Sequence, residues 1–227
     1  MPSMATWSAW FKQAEKIGYT LESILPLQIE EDQERLYSSG LPVLDRLFVD
    51  GEKYDSSSVR TFCDKHALHW ARIYHKNDLS KRSYKLGMTT PDVLEFIEGI
   101  PRTLAHWNIQ LFEYVPNQFG GNIVSDDSRT SIEMVHGTQG NIERSQKMIY
   151  HGEVSSTGCL HFSQKRTSRL MRVGAQNALR FLRLARGEYL KGYFEFIVSD
   201  KNQIYFLDYK TLFLEAPNMK ETEWTSE

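Results

Sequence analysis

The stretch GYFEFIVSDKNQIYFLDYK, residues 192–210, decides how the rest of the chain is read. Tyr193–Val198 and Ile204–Tyr209 are rich in aromatic and β-branched residues and predict two strands. Ser199-Asp200-Lys201-Asn202 between them has the composition of a tight reversal. With the turn centred on Asp200–Asn202, Glu195 and Asp208 fall nearly opposite one another and can share a face. Two carboxylates so placed repel unless a cation lies between them, and hard oxygen donors on neighbouring strands suit Mg²⁺ held through a substrate's phosphates. Two solvent-facing polar positions of a half-buried hairpin fit the same spacing, so both readings stay open here.

Working back toward the N-terminus, residues 166–190 predict the longest helix. Met171, Ala175, Ala178, Leu179, Leu182, Ala185 and Tyr189 fall in one narrow arc at 100° per residue. Arg169, Arg172, Arg180 and Arg183 lie on the opposite side. Between 165 and 191 there are eight Lys/Arg and one acidic residue. Such a run is either a solvated face or a surface for phosphate or carboxylate, which arginine can grip with two parallel bonds. Ahead of it, NIVS, SIEMVHG and KMIYHGEVS predict short meandering strands after a turn at Gly120-Gly121. Asn108–Val115 predicts a strand ending at Pro116. Further back, Val43–Asp50 and Leu68–Tyr74 predict strands. Helices are predicted at 58–66 and after Thr89-Thr90-Pro91, and 75–88 reads as an exposed basic loop. Helices at 7–17, with Trp7 and Trp10 one turn apart, and at 28–38 precede these. The tail 215–227, with four glutamates against one lysine, predicts a frayed end.

This order of elements, with its carboxylate hairpin, resembles the ATP-grasp superfamily over about residues 40–210. The resemblance implies an α+β fold of two lobes with antiparallel sheets and a long C-terminal helix, with ATP clamped between the lobes. Glu195-Phe196 matches the family's first carboxylate and Asp208 its second, which makes these two the implied Mg²⁺ ligands. Lys210 stands where the family normally has asparagine, a departure that bears on a second metal and on turnover. Glu113-Tyr114-Val115 corresponds to the segment between lobes that receives adenine. Arg72 is the closest match to the basic residue that touches phosphate, with Lys76 as a second candidate. Gly120-Gly121 could bring backbone amides to phosphate, or be a plain turn. Arg169 and Arg172 are candidates to hold a carboxylate substrate. The implied activity is that of an ATP- and Mg²⁺-dependent ligase, activating an acidic small molecule or peptide by phosphoryl transfer.

The implied division is a helical segment 1–40, a small lobe 41–107, a nucleotide- and metal-binding lobe 108–214, and the tail 215–227. Full ligases of the family carry a further domain ahead of the grasp. About 40 residues are too few for one, which predicts a minimal member that works with a partner chain or as a homo-oligomer. Two other classes remain: a non-catalytic module reading a nucleotide or an acidic partner, and a nucleic-acid-processing protein using the arginine face with Lys76, Lys81, Arg82 and Lys85. The second lacks the aromatic–basic interleaving that stacks bases.

Composition excludes more than it selects. The chain has 227 residues, a formal net charge of −2, 41% hydrophobic and 25% charged residues. That rules out disorder and a polyanion binder acting through overall charge. Cys63 and Cys159 cannot build a disulfide framework. No apolar run approaches the length of a spanning helix, and MPSMATWSAWFKQ lacks the features of a signal peptide, so a cytoplasmic location is expected. Neither GxxxxGK[ST] nor GxGxxG occurs. His66 and His69 have HxxH spacing without a third ligand nearby. His136 and His151, with Glu133 and Glu153, are read as polar positions on adjacent strands.

Overall fold

A computed structural model describes residues 29–100, 104–127, 129–137, 148–155, 157–164 and 166–210. The expected helix at 7–17 and the tail 215–227 lie outside these residues. The fold is α+β, with two antiparallel sheets, each over its own apolar core.

The first sheet contains β1 (Arg46–Asp50), β2 (His69–His75), β3 (Asp78–Met88) and β4 (Trp107–Glu113) in the order β1-β4-β2-β3. One face carries Val49, Ala71, Ile73, Ile109 and Leu111. These pack beneath α2 (Ser56–Cys63) and α3 (Thr90–Glu98) through Val59, Phe62, Val93 and Ile97. Alternation along the strands turns Arg72, Tyr74, Asn108 and Gln110 to the other face. Asp55 accepts from the backbone N–H groups of Ser57 and Ser58 and starts α2, two residues ahead of the expected start at 58. Residues 78–88 form a strand, not the expected loop. Their polar side chains suit an outer strand that pairs only with β2.

The second sheet has six strands in the order β10-β9-β5-β6-β7-β8. They are β5 (Asn117–Ser125), β6 (Thr130–His136), β7 (Tyr150–Val154), β8 (Leu160–Phe162), β9 (Gly192–Ser199) and β10 (Ile204–Lys210). Its apolar face (Ile123, Ile132, Met134, Phe194, Phe196, Val198 and Phe206) packs against Met171, Ala175, Ala178, Leu179 and Leu182 of α4 (Arg169–Leu182). The helix stops at Leu182, short of the expected 190. The chain turns through Gly187, whose φ of +90° is left-handed, and Arg183 bridges to Tyr189.

Gly120-Gly121 is not a turn. Both residues lie within β5, paired to β6 on one side and β9 on the other. A Cβ on Gly121 would come within 2.6 Å of the Phe196 ring and 2.7 Å of the Glu133 carbonyl oxygen, so close strand packing explains the glycine. The expected lobe boundary at 107/108 also shifts. Strand β4 is a central strand of the first sheet, and the chain crosses to the second over Tyr114–Pro116.

The remaining helix, α1 (Ile29–Ser38), joins the two sheets. Glu30 accepts from Asn108 at 2.7 Å and from the Tyr74 hydroxyl at 3.4 Å, both on the first sheet. Gln33, fully buried, donates to Asp208 and to the Leu207 carbonyl at 3.0 Å each, both on the second. Just after the helix, the Phe206 N–H donates to the Pro42 carbonyl and Val43 bridges to Phe206.

Candidate functional site

Strand alternation leaves a polar row across the non-helical face of the second sheet. Asp208 on β10 faces Glu195 on β9, Glu195 faces Asn122 on β5, Asn122 faces Glu133 on β6, and Glu133 faces His151 on β7. The two carboxylates of the hairpin are thus side by side, as the spacing predicts. Asp208 is in register despite an irregularity in β10 between Phe206 and Asp208. The row is not a solvated surface: Asn122, Glu133, His151 and Asp208 are all buried, and Glu195 is half-buried. The Tyr193 hydroxyl donates to Glu195 at 3.1 Å. Lys210 follows Asp208 on the same face of β10 and is also buried.

Arg72 reaches this row from the first sheet. Its Nε and Nη2 donate to the Gln110 side-chain oxygen at 2.9 and 2.7 Å, which fixes the guanidinium in place. Its Nη1 lies 3.6 Å from Asp208 Oδ2. Asp208 is therefore held from three sides: by Arg72 from the first sheet, by Gln33 of α1, and by the Tyr209 N–H. Gln33 was not legible as a site residue. It lies 175 residues from Asp208, in a helix whose sequence shows only an acidic, amphipathic surface.

The other sequence candidates scatter. Lys76, at the end of β2, pairs with Asp50 at 2.6 Å and Glu52 at 3.3 Å, and these bonds raise its pKa above the ordinary lysine value. It is anchored within its own sheet, away from Asp208. Arg169 and Arg172 project from α4, which covers the apolar face, so the sheet itself separates them from the carboxylate row. Arg172 instead lies 6.0 Å over the Phe162 ring and donates to the Thr167 carbonyl. Glu113, Tyr114 and Val115 do stand where the chain passes from one sheet to the other. The Glu113 and Tyr114 N–H groups donate to the Asp45 and Leu68 carbonyls, and the Glu113 carboxylate lies 3.7 Å from His66. Gly120 and Gly121, inside a strand paired on both sides, present no loop amides to phosphate.

The histidine pair of HxxH spacing is structural. His69 is fully buried, with its ring nitrogens on the Met88 and Cys63 carbonyls at 3.2 and 3.1 Å. Among the described residues no group of three or more His, Cys, Asp or Glu is placed to hold a metal ion. The donor set of the hairpin still fits Mg²⁺, which needs only one or two carboxylates when phosphates supply further oxygens.

No protein-family model and no curated protein matches the chain. Solved structures do. An ATP-grasp ligase from Chryseobacterium gregarium, in complex with ADP and a leader and core peptide, is 11% identical over 80% of this chain and 51% of its own, with a TM-score of 0.47. An N5-carboxyaminoimidazole ribonucleotide synthetase in complex with ADP is 13% identical over 89% and 50%, with a TM-score of 0.45. The D-alanine-D-alanine ligase of Coxiella burnetii is 10% identical over 90% and 55%, with a TM-score of 0.43. The chain spans about half the length of each. What the site does rests on its own residues. Among the described residues no helix is long and apolar enough to cross a membrane.

Proposed function

We propose that the chain binds ATP with Mg²⁺ between its two sheets and acts as a ligase-like enzyme on an acidic small molecule or peptide. The observation that carries this reading is the Glu195–Asp208 pair in register, Asp208 buried and Glu195 half-buried, with Arg72 of the opposite sheet 3.6 Å from Asp208. Glu195 and Asp208 would hold the metal, which would supply charge neutralisation at the transferring phosphoryl group. Arg72, fixed by Gln110, keeps a permanent positive charge at the same place, and Lys210 adds a second on the neighbouring position of β10. Tyr193 orients the Glu195 carboxylate. The crossing at Glu113–Val115 would take the adenine. Lys76, tied to Asp50 and Glu52, has no part in the reaction.

One observation favours a second reading, a non-catalytic nucleotide-binding module. Both Asp208 oxygens already have partners: Gln33 and the Tyr209 N–H at Oδ1, and Arg72 at Oδ2. If those partners never yield, the metal is left with Glu195 as its one carboxylate ligand and turnover is lost. Thermal unfolding of the full chain with millimolar ATP and Mg²⁺ tests binding, since a ligand at 100 times its Kd adds about 2.7 kcal/mol. ADP formation in the presence of a panel of acids and amines then separates the readings. The enzyme predicts stabilisation with ADP release, and the module predicts stabilisation without it. The absence of any stabilisation overturns both.

A further inference from the structure

The nucleotide reading leaves the outer side of α4 unused. Along the helix, Arg169, Arg172 and Arg180 fall within an arc of about 80° at 100° per residue, and Arg183 stands just past its end. Leu170, Val173 and Phe181 fall within a second arc of about 80° beside the first, with Leu184 following. Both stripes are exposed. The four apolar side chains keep 39–52% of their surface open to water, so no other element of the fold covers them. Among the described residues no carboxylate pairs with Arg169, Arg180 or Arg183.

The placement of the stripes selects what covers them. The direction opposite the buried residues of α4 falls between Arg180 and Val173, so the border between the stripes is the outermost line of the helix. The apolar stripe leans toward the β10 edge of the sheet, where the Phe181 ring meets Phe206 edge-on at 6.5 Å. The arginine stripe leans toward the β8 edge, where Arg172 lies over the Phe162 ring. A helix embedded in a lipid surface carries its apolar residues on the outermost line, and α4 carries them to one side of it. A nucleic-acid strand would leave Leu170, Val173 and Leu184 without a use, because it is gripped by cations and stacking rings. A face about 17 Å long, half aliphatic and half arginine, matches a second amphipathic helix with an acidic flank. Glutamates three or four residues apart on such a helix meet arginines of the same spacing, and each pair can form two parallel bonds.

We propose that the outer face of α4 docks an acidic amphipathic helix of a partner protein, with the partner's apolar residues on the Leu170–Leu184 stripe and its carboxylates on the arginines. The six-stranded sheet separates this face from the Glu195–Asp208 pair, so the inference stands apart from the nucleotide reading. The probe is a fluorescent helical peptide of about 20 residues, with a leucine stripe flanked on one side by glutamates, followed by anisotropy with the full chain and no nucleotide. A second peptide has lysine for every glutamate. The expected result is saturable binding of the acidic peptide, weakened at least tenfold in Leu170→Ser and in the double variant Arg169→Glu/Arg180→Glu. The double variant is expected to bind the lysine peptide instead. All three positions are exposed, so these changes leave the core intact. Failure of the wild type to bind the acidic peptide, or equal binding of the lysine peptide, overturns the proposal. So does tighter binding of phosphatidylserine vesicles or a uridine oligonucleotide to the same face, or self-association of the chain that Leu170→Ser abolishes. ATP stabilisation is measured separately, so failure of either claim leaves the other standing.

Discussion

Gly121 shows how one residue can mislead and still be informative. A glycine pair followed by asparagine reads as a turn, yet Gly121 sits within β5, where a side chain would strike the Phe196 ring and the Glu133 backbone. Gly121→Ala is therefore expected to cost about 2 kcal/mol, read from the denaturant midpoint. The two cysteines differ for an equally local reason. Burial pushes the Cys63 thiol up to about 11, whereas Cys159 is exposed. A thiol reagent at neutral pH should modify Cys159 in the native chain and Cys63 only after unfolding. Asp50 supplies a pH signature. Its hydrogen bond from Lys76 holds its carboxyl below the ordinary value of 3.8. A lowered folded-state pKa contributes stability that is present above the unfolded value and is lost as pH falls through the folded one. The stability difference between wild type and Asp50→Asn should thus stay flat above pH 3.8 and shrink below it.

At the scale of elements, legibility follows how local the determining forces are. The β9–β10 hairpin was readable because alternation, turn residues and two carboxylates all fall within nineteen residues. α3 was readable from Thr89 and Pro91, and its capping box is present. β3 was not, since an outer strand needs no apolar face and Lys81, Arg82 and Lys85 look like loop residues. Periodicity puts Arg169, Arg172 and Arg180 on one face of α4, with Arg183 just past its end, but only the packing of that helix reveals that the sheet stands between them and Glu195. Arg169→Ala and Arg172→Ala are accordingly expected to leave ATP stabilisation unchanged. The role of α1 depends on contacts with residues some 80 and 175 positions away, which no local pattern encodes. Gln33→Ala removes the buried partner of Asp208 and should lower stability by about 1–2 kcal/mol in chemical denaturation.

For the whole molecule, the two sheets turn their polar faces inward while helices cover the outer, apolar faces. Arg72, Glu30 and Gln33 are the polar links across that space. A nucleotide entering between the sheets would lie among groups already arranged by these links, with the carboxylate pair at one end of the row and His151 at the other. The most direct measurement of the central claim is the calorimetric affinity of the full chain for ATP, with Mg²⁺ and with EDTA, in wild type, Glu195→Gln and Asp208→Asn. The account predicts Mg²⁺-dependent binding in the wild type that weakens at least tenfold, about 1.4 kcal/mol, in each variant. Equal affinity in all three proteins, or no binding at millimolar ATP, would contradict it.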